Sequence, residues 1–379
     1  AGEIIRQRCK ESPDVCERRV FDARSKYLAS GYAGHLSVPG ATVADWKDCG
    51  QCRDCFLPAF NYRPGGSAQS VLALAKQPFG FLASSDNHTA RPGTGYKEYA
   101  RRSMTETAGP RDEVWAARLA SPLPSKGPAR TIDPKDPGVT PLQAFDFERQ
   151  ASFFLTGGLV AVHSEGKTRD AIWDALNRRE VYGTSGPRIL LWFDLVSPAS
   201  VPMGSVVTVT STPRFAVRAL GSRVELPGCP SLGQDGPSAE RIERLCRGEC
   251  HHPGDTRRRI TRIEVVRVRP QRSRDEAIAG LVADPWKVLL CPEGEGSCRV
   301  EFDDPEFQPS ARDAIYYVRA IEEPSLAVNA AGVRCERDVA GSCTRVNPCY
   351  GDTRTPAADN CLAATEERAW SSPIYAQVR

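Results

Sequence analysis

The chain has 379 residues, with 50 basic and 47 acidic side chains and a formal net charge of +3 at pH 7. Signs so evenly balanced give no reason to expect nucleic acid or an anionic membrane as partner, and no stretch approaches the ~20 apolar residues of a membrane span. A hydrophobic share of 40% suffices for two cores, while 30 prolines and 31 glycines favour strands and loops over a helical bundle.

The opening segment, Glu3 to Tyr32, is polar and of mixed charge, and Ala1-Gly2-Glu3 leads into it without a signal peptide. The compartment is therefore read from the 14 cysteines. Cysteines spread through loops rich in Gly, Pro and Asp predict a disulfide framework, which needs the periplasm or the cell exterior. The close pairs Cys291–Cys298, Cys335–Cys343 and Cys349–Cys361 are the expected bridges. Zinc is the competing reading, but the C-terminal cysteines lack the CxxC knuckles of zinc ribbons. Cys49, Cys52 and Cys55 resemble part of an iron–sulfur or zinc spacing, with no evident fourth ligand. Phe56 excludes c-type haem attachment, so bridges among these three or to Cys9 or Cys16 are expected.

Ala68 to Ala75 has helical composition, and Pro78 to Ser85 reads as a short buried strand ending in small residues. Residues 105–141, rich in Pro, Gly and charge, fit a surface insertion. Gly158 to His163 is a second buried strand. A helix follows, capped by Thr168, with Asp170 in its first turn, Arg178 and Arg179 in its last, and Ile172, Trp173 and Leu176 as its core stripe. Arg188 to Leu195 resumes as strand. This rhythm is α/β and calls for parallel neighbours. Beyond residue 196 it gives way to β-branched and aromatic runs: Val206–Thr210, Arg214–Ala219, Ile260–Val268, Lys287–Leu290, Arg299–Phe302, Ala314–Ile321 and Ser372–Val378. Residues 196–379 are thus expected to form an all-β sandwich with disulfide-pinned loops.

Where the strand at 78–85 ends stands Ser84-Ser85-Asp86-Asn87-His88. A carboxylate and an imidazole two apart at a strand's C-terminal end can converge on one ion, or form an ordinary hydrogen-bonded loop pair. His163 and Glu165 follow a strand and offer a second ligand pair, against a structural role for the histidine. Arg63 and Arg188, in loops flanked by Pro and Gly, could clamp an anionic substrate through bidentate bonds, or serve the surface. His251-His252 is read as solvent-facing. No GxSxG elbow, Walker A loop or GxGxxG follows a strand.

The run Phe79-Gly80-Phe81-Leu82-Ala83-Ser84-Ser85-Asp86-Asn87-His88, continuing to Tyr96, resembles the last metal motif of a large uncharacterised bacterial family. That family is related to the PHP (polymerase and histidinol phosphatase) metallohydrolases. Phe60 to Gln69 and Gly158 to Ile189, with Tyr182-Gly183-Thr184-Ser185-Gly186-Pro187-Arg188, match it too, and so does Ala369 to Tyr375. The resemblance implies that residues 1–195 are the C-terminal portion of a distorted TIM-like barrel. It also implies divalent ions (Zn, Mn or Fe), an anionic phosphoester-type substrate, and Asp86 and His88 as metal ligands. The family's N-terminal His-x-His pair has no counterpart among the five histidines. Its supply by an upstream half of the same protein, packed on residues 1–195, is therefore expected. The alternative is an exported, non-catalytic protein that binds a partner through its β-sandwich. Nothing in the sequence specifies an oligomeric state.

Overall fold

The computed structural model describes residues 6, 9, 11–17, 68–74, 77–84, 158–228, 236–246, 251–273, 275–292, 296–328, 335–337, 339, 343–346 and 362–378. The elements in chain order begin with α1 (Ala68–Leu74), β1 (Leu159–Val162), α2 (Arg169–Asn177), β2 (Val181–Thr184), β3 (Leu190–Ser197), β4 (Val201–Pro202) and β5 (Val206–Val209). Next come β6 (Arg214–Leu220), β7 (Arg223–Pro227), α3 (Ala239–Cys246), β8 (His251–Arg257), β9 (Ile260–Val268) and a 3-10 turn (Ile278–Leu281). The last are β10 (Val282–Leu290), β11 (Ser297–Asp303), α4 (Phe307–Ser310), β12 (Ala314–Val328), β13 (Cys335–Arg337), β14 (Cys343–Val346), β15 (Leu362–Ser371) and β16 (Ile374–Val378).

The chain divides into two compact units. One comprises Ala1–Val71, Ser85–Gly157 and Ser325–Thr365; the other comprises Leu72–Ser84, Gly158–Pro324 and Glu366–Arg379. In the first, Cys9 and Cys16 form a disulfide, and β13 and β14 form an antiparallel hairpin. Cys9 and Cys16 therefore bridge each other and do not serve the Cys49–Cys55 trio. The side chains of Cys335 and Cys343, and the whole of Cys49–Cys55, Cys349, Cys361 and 105–141, lie outside the described residues.

The second unit is a β-sandwich. Its larger sheet runs β1-β2-β15-β12-β16-β5, with β9 on the other side of β12 and β10 beyond β9; its smaller sheet runs β11-β6-β3-β4. Alternation decides which residues lie between them. Leu191, Phe193 and Leu195 of β3, Phe215, Val217 and Ala219 of β6, and Phe302 of β11 face inward from the smaller sheet. Ile263 and Val265 of β9, Tyr316, Val318 and Ala320 of β12, and Ile374 and Ala376 of β16 meet them from the larger one. Within the smaller sheet the Phe215 ring lies 4.9 Å from Phe302 and 5.6 Å from Phe193, and across the gap it meets Tyr316 at 4.7 Å, centroid to centroid.

Three devices fasten the sheets. Cys291, just after β10, bridges Cys298 on β11, so the expected disulfide ties the larger sheet to the smaller. Buried Asp304 accepts from Tyr316 Oη at 2.6 Å, from Arg267 Nη1 at 3.0 Å, and from the amide of Glu306 at 3.0 Å. At the far end buried Glu322 of β12 accepts from the backbone amide and the hydroxyl of Ser222, which joins β6 to β7.

The expected α/β barrel is overturned. β1 and β2 do flank helix α2, but they pair antiparallel, Val162 opposite Val181 and Leu159 opposite Thr184. A parallel crossover would re-enter the sheet from the same end. Here Arg179, with φ of 62°, turns the chain so that β2 starts where β1 stopped, and the helix merely fills the loop of a long hairpin. β3 then leaves for the other sheet. The described residues are mostly β, β16 pairs parallel with β5, and no barrel closes among them.

Helix α2 begins as expected, with Thr168 Oγ1 accepting from the Ala171 amide at 3.2 Å. Its core stripe differs: Ala175 is the buried position, whereas Trp173 is 61% exposed and Ile172 37%.

Two outcomes follow for stability. Phe215→Ala, which removes the ring at the centre of the stack, is expected to cost about 3–5 kcal/mol in urea unfolding. Burial pushes the Glu322 carboxyl above the ordinary carboxylate range, against the lowering by its Ser222 bonds. The folded chain thus holds this proton more tightly than the unfolded chain, so the group's contribution is present at low pH and lost as pH rises through its folded value. Glu322→Gln is therefore expected to be more stable relative to the parent at about pH 8 than at about pH 4, as urea midpoints at the two pH values will show.

Candidate functional site

The site is approached through residues 77–84, which precede Asp86 and His88. They run extended but do not join a ladder, so the buried strand expected at Pro78–Ser85 is instead a strap with Leu82 65% exposed. Side chains and amides hold it down. The Phe79 amide donates to Tyr375 Oη at 2.9 Å, and the Tyr375 hydroxyl donates to the Phe79 carbonyl at 2.9 Å. Ser372 Oγ accepts from the Phe81 amide at 3.0 Å, and the Ser84 carbonyl accepts from the Gly158 amide at 3.1 Å. The Phe81 ring meets Tyr317 edge-on at 5.2 Å. Phe79 and Phe81 also close an apolar cluster on the outer face of the larger sheet, with Leu72, Val266, Val268, Ile315 and Tyr317.

Glycine makes the approach possible. A Cβ on Gly183 of β2 would lie 2.8 Å from the Ala83 Cβ, and one on Gly158 would lie 2.8 Å from the Ser84 backbone. Only a residue without a side chain lets the strap lie this close. Tyr375, the main fastening, has its phenol pushed up by burial, against the lowering by its bond to Phe79.

Asp86, His88 and Arg63 lie outside the described residues. Arg188 stands in the turn between β2 and β3, 57% exposed, with Nη1 3.4 Å from Glu225 Oε1 of β7. His163 is held by Nε2 against the Leu191 carbonyl at 2.8 Å and sits between Tyr182 and Trp192, at 5.3 and 5.7 Å. That is the structural role weighed for it; Glu165 beside it is exposed. Burial pushes the Tyr182 phenol up to about 12, partly offset by a bond involving Leu191, while its hydroxyl donates to the Ile189 carbonyl at 3.0 Å. His252 Nδ1 lies 2.9 Å from the Gly228 carbonyl. Among the described residues no three His, Cys, Asp or Glu side chains come together as a metal group.

Sequence reading missed the buried polar pairs. Ser185, within the Thr184-Ser185-Gly186-Pro187-Arg188 motif, donates through its hydroxyl to the buried Glu367 carboxylate and accepts from the Arg368 amide at 2.9 Å. The small residues of that motif thus stitch β2 to β15. One signal was visible, a Glu-Glu pair closing each apolar or small-residue run, Ile321-Glu322-Glu323 and Thr365-Glu366-Glu367.

The fold defines a disulfide-pinned, two-sheet β protein with a strap crossing its larger sheet. Residues 64–378 match the family described as protein of unknown function (DUF3604), and the chain belongs to that family. No curated protein and no solved structure matches it. The two disulfides, and the lack among the described residues of a helix long and apolar enough to cross a membrane, fit an extracellular or periplasmic protein.

Tyr375→Phe removes both strap bonds to Phe79 at once. Backbone amide exchange across residues 79–84 is expected to speed up, with a stability loss of about 1–3 kcal/mol from the stranded amide and carbonyl.

Proposed function

We propose that this protein is a metal-dependent hydrolase of phosphoesters or related anionic substrates, related to the PHP metallohydrolases, with Asp86 and His88 as ligands of a divalent Zn, Mn or Fe ion. The observation that carries this reading is the strap. Ser84, two residues before Asp86, is bonded to Gly158, and the backbone before it is fastened by Tyr375 and Ser372. A ligand pair that follows directly on an anchored backbone suits an ion that demands fixed geometry.

The donor set fits the group: a carboxylate and a neutral imidazole suit all three of these ions. When bound, such an ion supplies a more acidic water and neutralises charge on the leaving oxygen. Arg63 and Arg188 take the substrate's negative charge in this reading. Arg188, 57% exposed and 3.4 Å from Glu225, would meet the ligand from the turn between β2 and β3.

The test is metal content by mass spectrometry of the purified full-length protein, alongside hydrolysis of a generic aryl phosphate. Asp86→Asn and His88→Ala are each expected to lower bound metal and to reduce the rate by about a hundredfold or more, whereas Arg188→Ala should raise KM and leave metal unchanged. Parent protein that binds no divalent metal would favour the non-catalytic binding protein instead.

A further inference from the structure

We propose that the outer face of the smaller sheet binds an acidic polysaccharide, with Arg218 and Arg299 meeting its carboxylates. Three strands set a row across that face: Trp192 of β3 is opposite Arg218 of β6, and Arg218 is opposite Arg299 of β11. Neighbouring strands lie about 5 Å apart, so the two guanidinium groups share one small area. Both arginines are exposed. Like charges directly opposite one another work against the sheet.

Another arginine on this face is neutralised: Arg214 of β6 pairs with Glu301 of β11 at 2.5 Å. Among the described residues, neither Arg218 nor Arg299 has an ion pair. Asp194, one row along, is half-buried and feels Arg218 without reaching it as an ion-pair partner. A bound anion would relieve the uncompensated pair.

The cations are also mounted on fixed parts. The Arg218 guanidinium carbon lies 3.9 Å from the centroid of the Trp192 ring, and Trp192 packs near His163, itself held by the Leu191 carbonyl. Arg299 follows Cys298, which the disulfide to Cys291 pins. A stacked guanidinium loses little freedom when it binds a planar carboxylate.

The exposure of the pair selects a polymer. At an exposed site each contact has little strength, and salt screens it, so useful affinity needs repeated charges on one chain. A net charge of +3 with mixed signs does not suit the many phosphate contacts of a nucleic acid. The disulfides fit the compartments where acidic polysaccharides are met. This proposal stands apart from the metal reading and uses none of its residues.

Affinity electrophoresis of the full chain at low ionic strength, in gels carrying polygalacturonate or neutral dextran, tests it. Retardation by polygalacturonate alone is expected, weakened about tenfold in the Arg218→Gln, Arg299→Gln double variant, while Arg214→Gln, whose parent residue is already paired, binds as the parent does. Thermal melting of the double variant should change little, since the repulsion it loses offsets the stacking on Trp192 it also loses. If that variant misfolds, Arg299→Lys replaces it, and partial loss is expected because charge remains while the bidentate fork does not. Absence of retardation, equal binding by the double variant, or equal loss in Arg214→Gln would overturn the proposal. So would displacement by inorganic phosphate as effective as by oligogalacturonate, since that marks a simple anion site.

Discussion

Everything described in the larger unit depends on one contact, the face of β12 and β9 against the face of β3 and β6. Neither sheet could stand alone, because each presents a continuous apolar surface that must be covered. Phe193, Phe215, Phe302 and Tyr316 fill the middle as a stack of rings. Their area supplies the bulk of the stabilisation, and their offset geometry adds directional preference. The fastenings at the rim act on this pairing and would have nothing to fasten without it.

Besides the Cys291–Cys298 disulfide, two of those fastenings are polar, and each carboxylate has more than one donor. Asp304 serves Arg267, Tyr316 and the Glu306 amide, and Glu322 serves both donors of Ser222. Removing one partner would leave a charge in a dry place, so such pairs fix which sheet edge meets which more than they add net stability. On the outer face of the larger sheet a second polar ladder runs from Asp284 through Arg319, Glu264 and Arg262 to Glu366. Burial opposes the Arg319 charge, yet its carboxylate neighbours hold its pKa above the usual value. Beside this ladder the strap and α1 cover the apolar end of the same face, where Leu72, Phe79 and Phe81 meet Val266, Val268 and Tyr317.

The strap ties the two ends of the larger unit together. Its hydrogen bonds come from Tyr375 and Ser372, nearly three hundred residues later in the chain. The Asp-x-His motif is thus preceded by a backbone whose position is set by the C-terminal strand.

Much of the β architecture was written in local pattern. Ile260–Val268 was read to the residue, the Thr168 cap and the Cys291–Cys298 bridge were legible, and the run Arg214–Ala219 ends one residue short of β6. Each of these rests on chemistry contained within a few neighbouring residues. Pairing direction is not of that kind. Leu159–Val162, helix α2 and Val181–Thr184 have the composition of a parallel crossover, and only the return of the chain at Arg179 and the dock of β2 on β15 make them an antiparallel hairpin. The extended run at 78–84 looked like a strand because it is apolar. Its hydrogen-bond partners are side chains brought from residues 372 and 375, and so it became a strap. The sequence by itself determined which residues are chemically able to ligate, bridge or pack. Tertiary structure alone decided which of them meet, because that depends on contacts between residues hundreds of positions apart.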